Sequence, residues 1–191
     1  MAFRPTATER SATGIPTGRL AIWWLVASEI VIFGGVLAPY IMFRLGHPEW
    51  AYHAEHTNTL AGSVNTFVLL TSSLFAVLAH AAAERDENKK AAKWLGATML
   101  GALTFLIIKS FEWYAEIQHG YTITENGFWA FYYTAAGIHA AHVVAGMVAM
   151  GFVAKDAWRG EETQRVEYVG LYWHFVDIVW IFLFPLLYIA S

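Results

Sequence analysis

Eight side chains able to titrate or to bind a metal fall in or near long apolar stretches: Glu29, His80, Lys109, Glu112, His139, His142, His174 and Asp177. An ionisable group at the centre of a membrane helix costs about 2.5–3.5 kcal/mol on insertion scales, so each needs a partner or a purpose. Three chemistries are open to such a set: ligation of haem or metal, proton transfer, and pairing of carboxyls with imidazoles. A centre with two haems and a copper needs more histidines than His80, His139, His142 and His174 supply, so a catalytic redox core fails on counting. A single haem b between His142 and His174 fits on paper. Each, however, has another polar group three residues away (His139 and Asp177), a pattern closer to a hydrogen-bond network than to an isolated ligand. His47, His53 and His56 lack cysteine or aspartate support and read as solvated loop residues.

The elements that must position these groups are helices. Five apolar runs, at about 20–43, 60–83, 91–114, 127–154 and 168–190, each reach the roughly 20 residues that cross a hydrocarbon core about 30 Å thick. Lipid offers no partner to a backbone N–H or C=O, so each run must be an α-helix. The expected fold is therefore all-α, one polytopic transmembrane bundle of five helices over residues 1–191, with residues 1–18 as a polar tail. Arg4, Arg10 and Arg19, then Arg85, Lys89, Lys90 and Lys93, then Lys155, Arg159 and Arg165 alternate with loops that hold few or no cations. By the positive-inside rule the N-terminus lies in the cytoplasm and the C-terminus outside.

With orientation set, the helical rise gives depths. Glu29 and Asp177 come out roughly 14 Å from the inner edge, His174 roughly 9 Å, and His139 and His142 roughly 8–12 Å. These five groups are expected to form one polar cluster in the inner half of the membrane, with Asp177 meeting His139 or His142. Lys109 and Glu112, three residues apart near the outer end of the third span, read as an ion pair snorkelling to the interface, extended by Glu116. Trp50, Tyr52, Tyr114, Tyr121, Trp129 and Tyr188 read as interfacial anchors. Gly137, Ala141, Ala145 and Ala149 form a ridge of small residues along which another backbone can approach. The stripe of Trp173, Asp177, Trp180 and Phe184 reads as ordinary helix packing.

Composition narrows the function further. The chain is 57% hydrophobic and only 14% charged, against about 25% charged in a typical soluble domain. A net charge of −3 gives no basic surface for nucleic acid, and the absence of cysteine removes disulfides, iron–sulfur clusters and thiolate-held copper or zinc. No phosphate-binding glycine loop, zincin HExxH or nucleophile elbow is present. An odd number of spans without matching halves argues against a transporter built from repeats, leaving a small stand-alone proton channel using Glu29 and Asp177 as a rival, with the haem b protein as another.

The residues also fit a family pattern. Tyr172-Trp173-His174-Phe175-Val176-Asp177-Ile178-Val179-Trp180 resembles the YWHFVDxVW signature of cytochrome c oxidase subunit III. Gly137-Ile138-His139-Ala140-Ala141-His142-Val143 resembles its GxHxxHV helix, and Glu112-Trp113-Tyr114-Ala115-Glu116 its E-Y-x-E stretch. Asn65-Thr66 with Leu69-Leu70 and Ser72, and Ser28-Glu29, resemble two further family segments, in the right order. The resemblance implies a non-catalytic subunit of a proton-pumping haem–copper terminal oxidase in a bacterial inner membrane. It would pack on subunit I, with subunit II and a small subunit IV nearby, bind phospholipid, and carry no cofactor itself, the haems and copper residing in its partners. It would sustain proton uptake and slow inactivation during turnover. The matching positions are Glu29, Glu112, His139, His142, His174 and Asp177, Glu29 standing where the family has a carbodiimide-reactive carboxyl. The sequence begins at the third helix of seven-helix members and so resembles the five-helix form. Quinol oxidases and nitric oxide reductase-associated homologues share that form.

Overall fold

A computed structural model describes residues 17–189. Apart from its last two residues, the expected tail of residues 1–18 lies outside that range, as does residue 190 of the fifth span. Helix α1 (Thr17–Gly46) is followed by a short α2 (Trp50–Glu55), then α3 (Thr59–Ala83), α4 (Asn88–Gln118), α5 (Gly127–Trp158) and α6 (Arg165–Phe184). A π-helical turn, Pro185–Ile189, closes the described chain. Five of these helices, α6 counted with its π turn, are long and apolar enough to cross a membrane. The sequence reading placed all five, each a few residues shorter at most of its ends. It read α2 as loop, because six residues carry too little periodicity to register as a helix.

Local chemistry fixes several ends. The Asn58 side chain accepts from the Ala61 N–H at 3.0 Å, and that of Asn126 from the Trp129 N–H at 3.2 Å, capping α3 and α5 at the same end of the bundle. Helix α4 stops at Gly120, whose φ of 87° suits glycine, and the Tyr121 N–H bonds back to the Glu116 carbonyl at 3.0 Å. Pro185 has no N–H to continue the α6 ladder, and there the helix widens into the π turn.

Helices α3, α4, α5 and α6 form a four-helix square in which α3 packs on α4 and α6, and α5 packs on the same two. Helix α1 lies outside this square against α6 and α5. Among lipid tails, association rests on close packing and interhelical hydrogen bonds more than on apolar burial. Gly101 of α4 shows the packing. A Cβ there would stand 2.6 Å from the Ser72 Cβ of α3, so only glycine lets the two helices meet.

Two expectations about surfaces are corrected. Trp50, Trp129 and Tyr188 are not interfacial anchors but buried core residues, since their rings pack on Tyr40, Tyr121 and Phe184 respectively. Tyr52 and Tyr114 remain exposed. Among the described residues no helix packs closely on the small-residue ridge of α5. Gly137 has open space around it, and Ala141, Ala145 and Ala149 line an open groove. The close approach of α6 to α5 is instead at Gly146, against the rings of Trp173 and Tyr172.

Candidate functional site

The expected polar cluster resolves into separate sites. Glu29 of α1 and His142 of α5 meet at 2.8 Å between Oε2 and Nε2. The other imidazole nitrogen, Nδ1, lies 2.8 Å from the Ile138 carbonyl, which can only accept, so Nδ1 carries a proton. The Nε2–Oε2 contact then contains one more proton, whether it sits on the imidazole or on the carboxyl. This pair lines a groove of about 740 Å³ between α1, α5 and α6, otherwise walled largely by Ile22, Leu25, Ala141, Ala145, Ala149 and Tyr172.

His174 turns the other way. Its Nδ1 is 2.6 Å from Ser73 Oγ of α3, and the residue also borders an apolar groove of about 520 Å³ between α1 and α6. His139 is wholly buried, its ring flanked by Phe105 at 5.4 Å and Trp180 at 5.1 Å between centroids. Among the described residues neither of its nitrogens has a hydrogen-bond partner. Asp177 is equally enclosed. Ser73 is a polar neighbour of its carboxyl, and among the described residues neither Asp177 oxygen has a hydrogen-bond partner. Asp177 thus bonds neither His139 nor His142. Similar depth did not bring the five groups together because they point from different helix faces. The Trp173 and Trp180 indoles that flank Asp177 along α6 bond Ser72 and Thr66 of α3, at 3.1 and 3.0 Å, which bears out the packing role read for that stripe.

The reading of Lys109 and Glu112 as a snorkelling pair is overturned. Lys109 is only 2% exposed and Glu112 4%, with Nζ 3.2 Å from Glu112 Oε1. The ammonium donates to Tyr132 Oη of α5 at 2.8 Å and to Tyr188 Oη of the π turn. Tyr188 donates to Glu112 Oε1 at 2.7 Å, and Tyr132 lies 2.8 Å from both Glu112 Oε1 and Glu116 Oε1. The ammonium also lies over the Tyr132 and Tyr188 rings, 4.5 and 5.0 Å from their centroids. Position near the end of a span suggested snorkelling. The face of α4 that carries Lys109 instead looks into the four-helix square.

Ser73, Tyr132, Tyr133 and Tyr188 are site residues the sequence did not mark. Tyr188 read only as an interfacial anchor, and nothing in the spacing of the three tyrosines ties them to a lysine on another helix. Among the described residues no three histidine, aspartate or glutamate side chains come together as a metal site. His53 of α2, read as a solvated loop residue, is partly buried, stacked on Phe128 and 3.3 Å from Asn126 Nδ2.

Long apolar helices with ionisable groups satisfied or enclosed inside their bundle define a polytopic integral membrane protein. Its family follows from comparison with known proteins. The family model described as cytochrome c oxidase subunit III matches residues 13–191, and the chain belongs to that family. It is 32% identical over 170 residues to cytochrome c oxidase subunit 3 of Corynebacterium diphtheriae, covering 85% of this chain and 83% of the relative. It is 31% identical over 177 residues to the subunit 3 of Bacillus subtilis, covering 90% and 86%. A protein of Aeropyrum pernix named heme-copper oxidase subunit I+III is 30% identical over 185 residues, covering 90% of this chain and 22% of that longer polypeptide.

Proposed function

We propose that this chain supports, from a bacterial inner membrane, the catalytic core of a proton-pumping haem–copper terminal oxidase as its non-catalytic subunit III. The observation that carries the reading is the family match along nearly the whole chain, joined by a relative in which subunits I and III are one polypeptide. Fusion in that relative favours subunit I as the direct partner here. Subunit II and a small subunit IV complete the assembly we infer, with the N-terminus in the cytoplasm, as the lysine and arginine distribution favours.

The chain's part is mechanical and electrostatic. Helix α1 stands outside the square, and the grooves on its two sides have the apolar lining that suits phospholipid chains. The Glu29–His142 pair ties α1 to α5 while keeping a proton in the membrane interior, which fits a role in sustaining proton uptake by the core. Glu29, Glu112, His139, His142, His174 and Asp177 act here as structural, proton-related or lipid-related groups, and oxygen chemistry belongs to the haems and copper of the partners. The experiment is affinity purification of the tagged chain in mild detergent. Co-purification of a haem-bearing subunit I is expected. A chain that purifies alone, and whose liposomes pass protons until Glu29→Gln stops them, would replace this reading with a stand-alone channel.

A further inference from the structure

The Lys109 cluster holds more acceptors than protons. Its members are Lys109, Glu112 and Glu116 of α4, Tyr132 and Tyr133 of α5, and Tyr188 of the π turn. The ammonium has three N–H groups; two go to Tyr132 and Tyr188, and the third faces the ion-paired Glu112 Oε1 at 3.2 Å. Tyr188 spends its single O–H on Glu112 Oε1 at 2.7 Å. Tyr133 spends its own on the Tyr121 carbonyl at 2.7 Å, so Glu116 Oε2, 3.4 Å from the same hydroxyl, receives little. One O–H remains, that of Tyr132, and it lies 2.8 Å from a carboxyl oxygen of both Glu112 and Glu116. It can serve one of them. Among the described residues Glu112 Oε2 is buried without a hydrogen-bond partner.

Charge gives the same answer as the donor count. With every group ionised the cluster carries +1 from Lys109 and −2 from the two glutamates, a net −1 on three side chains that are each no more than 5% exposed. An uncompensated charge in such a place is strongly disfavoured. One added proton cancels the net charge and lets the two carboxyl oxygens beside Tyr132 both be bonded, leaving Glu112 Oε2 still without a donor. Placed on Glu116 Oε1, it donates to the Tyr132 oxygen, and Tyr132 then donates to Glu112 Oε1.

We propose that Glu112, Tyr132 and Glu116 hold a single shared proton beside Lys109, so that the cluster is neutral and forms a proton-binding site of its own, separate from the Glu29–His142 pair. Two carboxyls that share one proton are a known device where like charges are held close. Here the bridging tyrosine sets the spacing, and the lysine fixes which charge state is neutral. Glu116 lies in the last turn of α4, two residues from its end, and its neighbour Tyr133 donates to the Tyr121 carbonyl of the following loop, so of the two carboxyls Glu116 stands nearer the end of the helix.

The test is infrared spectroscopy of the full chain in its purified complex, with and without carboxyl-¹³C glutamate. The expected wild-type spectrum has a carboxylic-acid C=O band above the amide I region that the glutamate label moves, which sets it apart from any Asp177 band. The band should persist in Glu29→Gln and be lost in Glu116→Gln or Glu112→Gln. The proposal is overturned by a wild-type spectrum with no label-sensitive acid band, by loss of that band in Glu29→Gln, or by its survival in both cluster variants. Should the cluster variants fail to assemble, the labelled wild-type and Glu29→Gln spectra decide alone.

Discussion

Replacing Lys109 by methionine tests how the square is held together at its α2 end. Methionine keeps most of the volume, so the perturbation is chiefly electrostatic. It removes donors to Tyr132 and Tyr188 and the counter-charge 3.2 Å from Glu112, in a place where the lysine is 2% exposed. Removing one partner of a buried ion pair costs about 3–5 kcal/mol, because the remaining charge is left uncompensated. Total stabilities of about 5–15 kcal/mol are usual, so this loss would consume about a fifth or more of the reserve. The double variant Lys109→Met/Glu112→Gln removes the orphaned charge as well and should recover more than half of the loss. Unfolding by SDS in mixed micelles, followed by the fluorescence of the nine tryptophans, gives the numbers. Asp177→Asn is the control, expected to cost under about 1 kcal/mol, since among the described residues neither Asp177 oxygen has a hydrogen bond to lose and asparagine keeps an oxygen to face Ser73. If Lys109→Met lies within about 1 kcal/mol of wild type, or if Asp177→Asn is the more damaging change, the assignment of Lys109 as the hub is wrong.

Other expectations follow from single contacts. Glu29→Ala deletes the bond to His142 and should cost about 1.5–3 kcal/mol, with hydrogen exchange accelerated in 17–46 and little elsewhere; acceleration spread evenly over all helices would contradict the placement of α1 outside the square. Gly101→Val drives side-chain atoms into Ser72 and should destabilise by about 1–3 kcal/mol or more. Gly96→Ala meets nothing and should be neutral or stabilising by up to about 1 kcal/mol in the same unfolding assay. Tyr188→Phe removes a donor to Glu112 and an acceptor for Lys109, for an expected loss of about 1–3 kcal/mol read by unfolding.

What was legible in the sequence is what lipid makes compulsory. A run such as 127–154 can only be a helix in a membrane, so the spans were readable without knowing their neighbours. Depth was readable too, from helical rise, and it placed Glu29 and His142 at comparable levels, where they pair. Azimuth was not. Asp177 and His139 share that depth yet carry no bond between them. Lys109, apparently at the rim, points inward to tyrosines contributed by α5 and by a π turn that exists because Pro185 interrupts α6. The aromatic residues failed for the same reason. Trp129 and Tyr188 stand near span ends, and only the packing of neighbouring helices tells an anchor from a core residue.

The central claim is that this chain supports an oxidase core without taking part in its electron transfer. Oxygen consumption by the complex purified with and without the chain, followed over many turnovers, tests it most directly. We expect equal haem content and an equal initial rate, with activity fading faster when the chain is absent. A core that loses haem on removal of the chain, or two time courses that superimpose to the end, would contradict it.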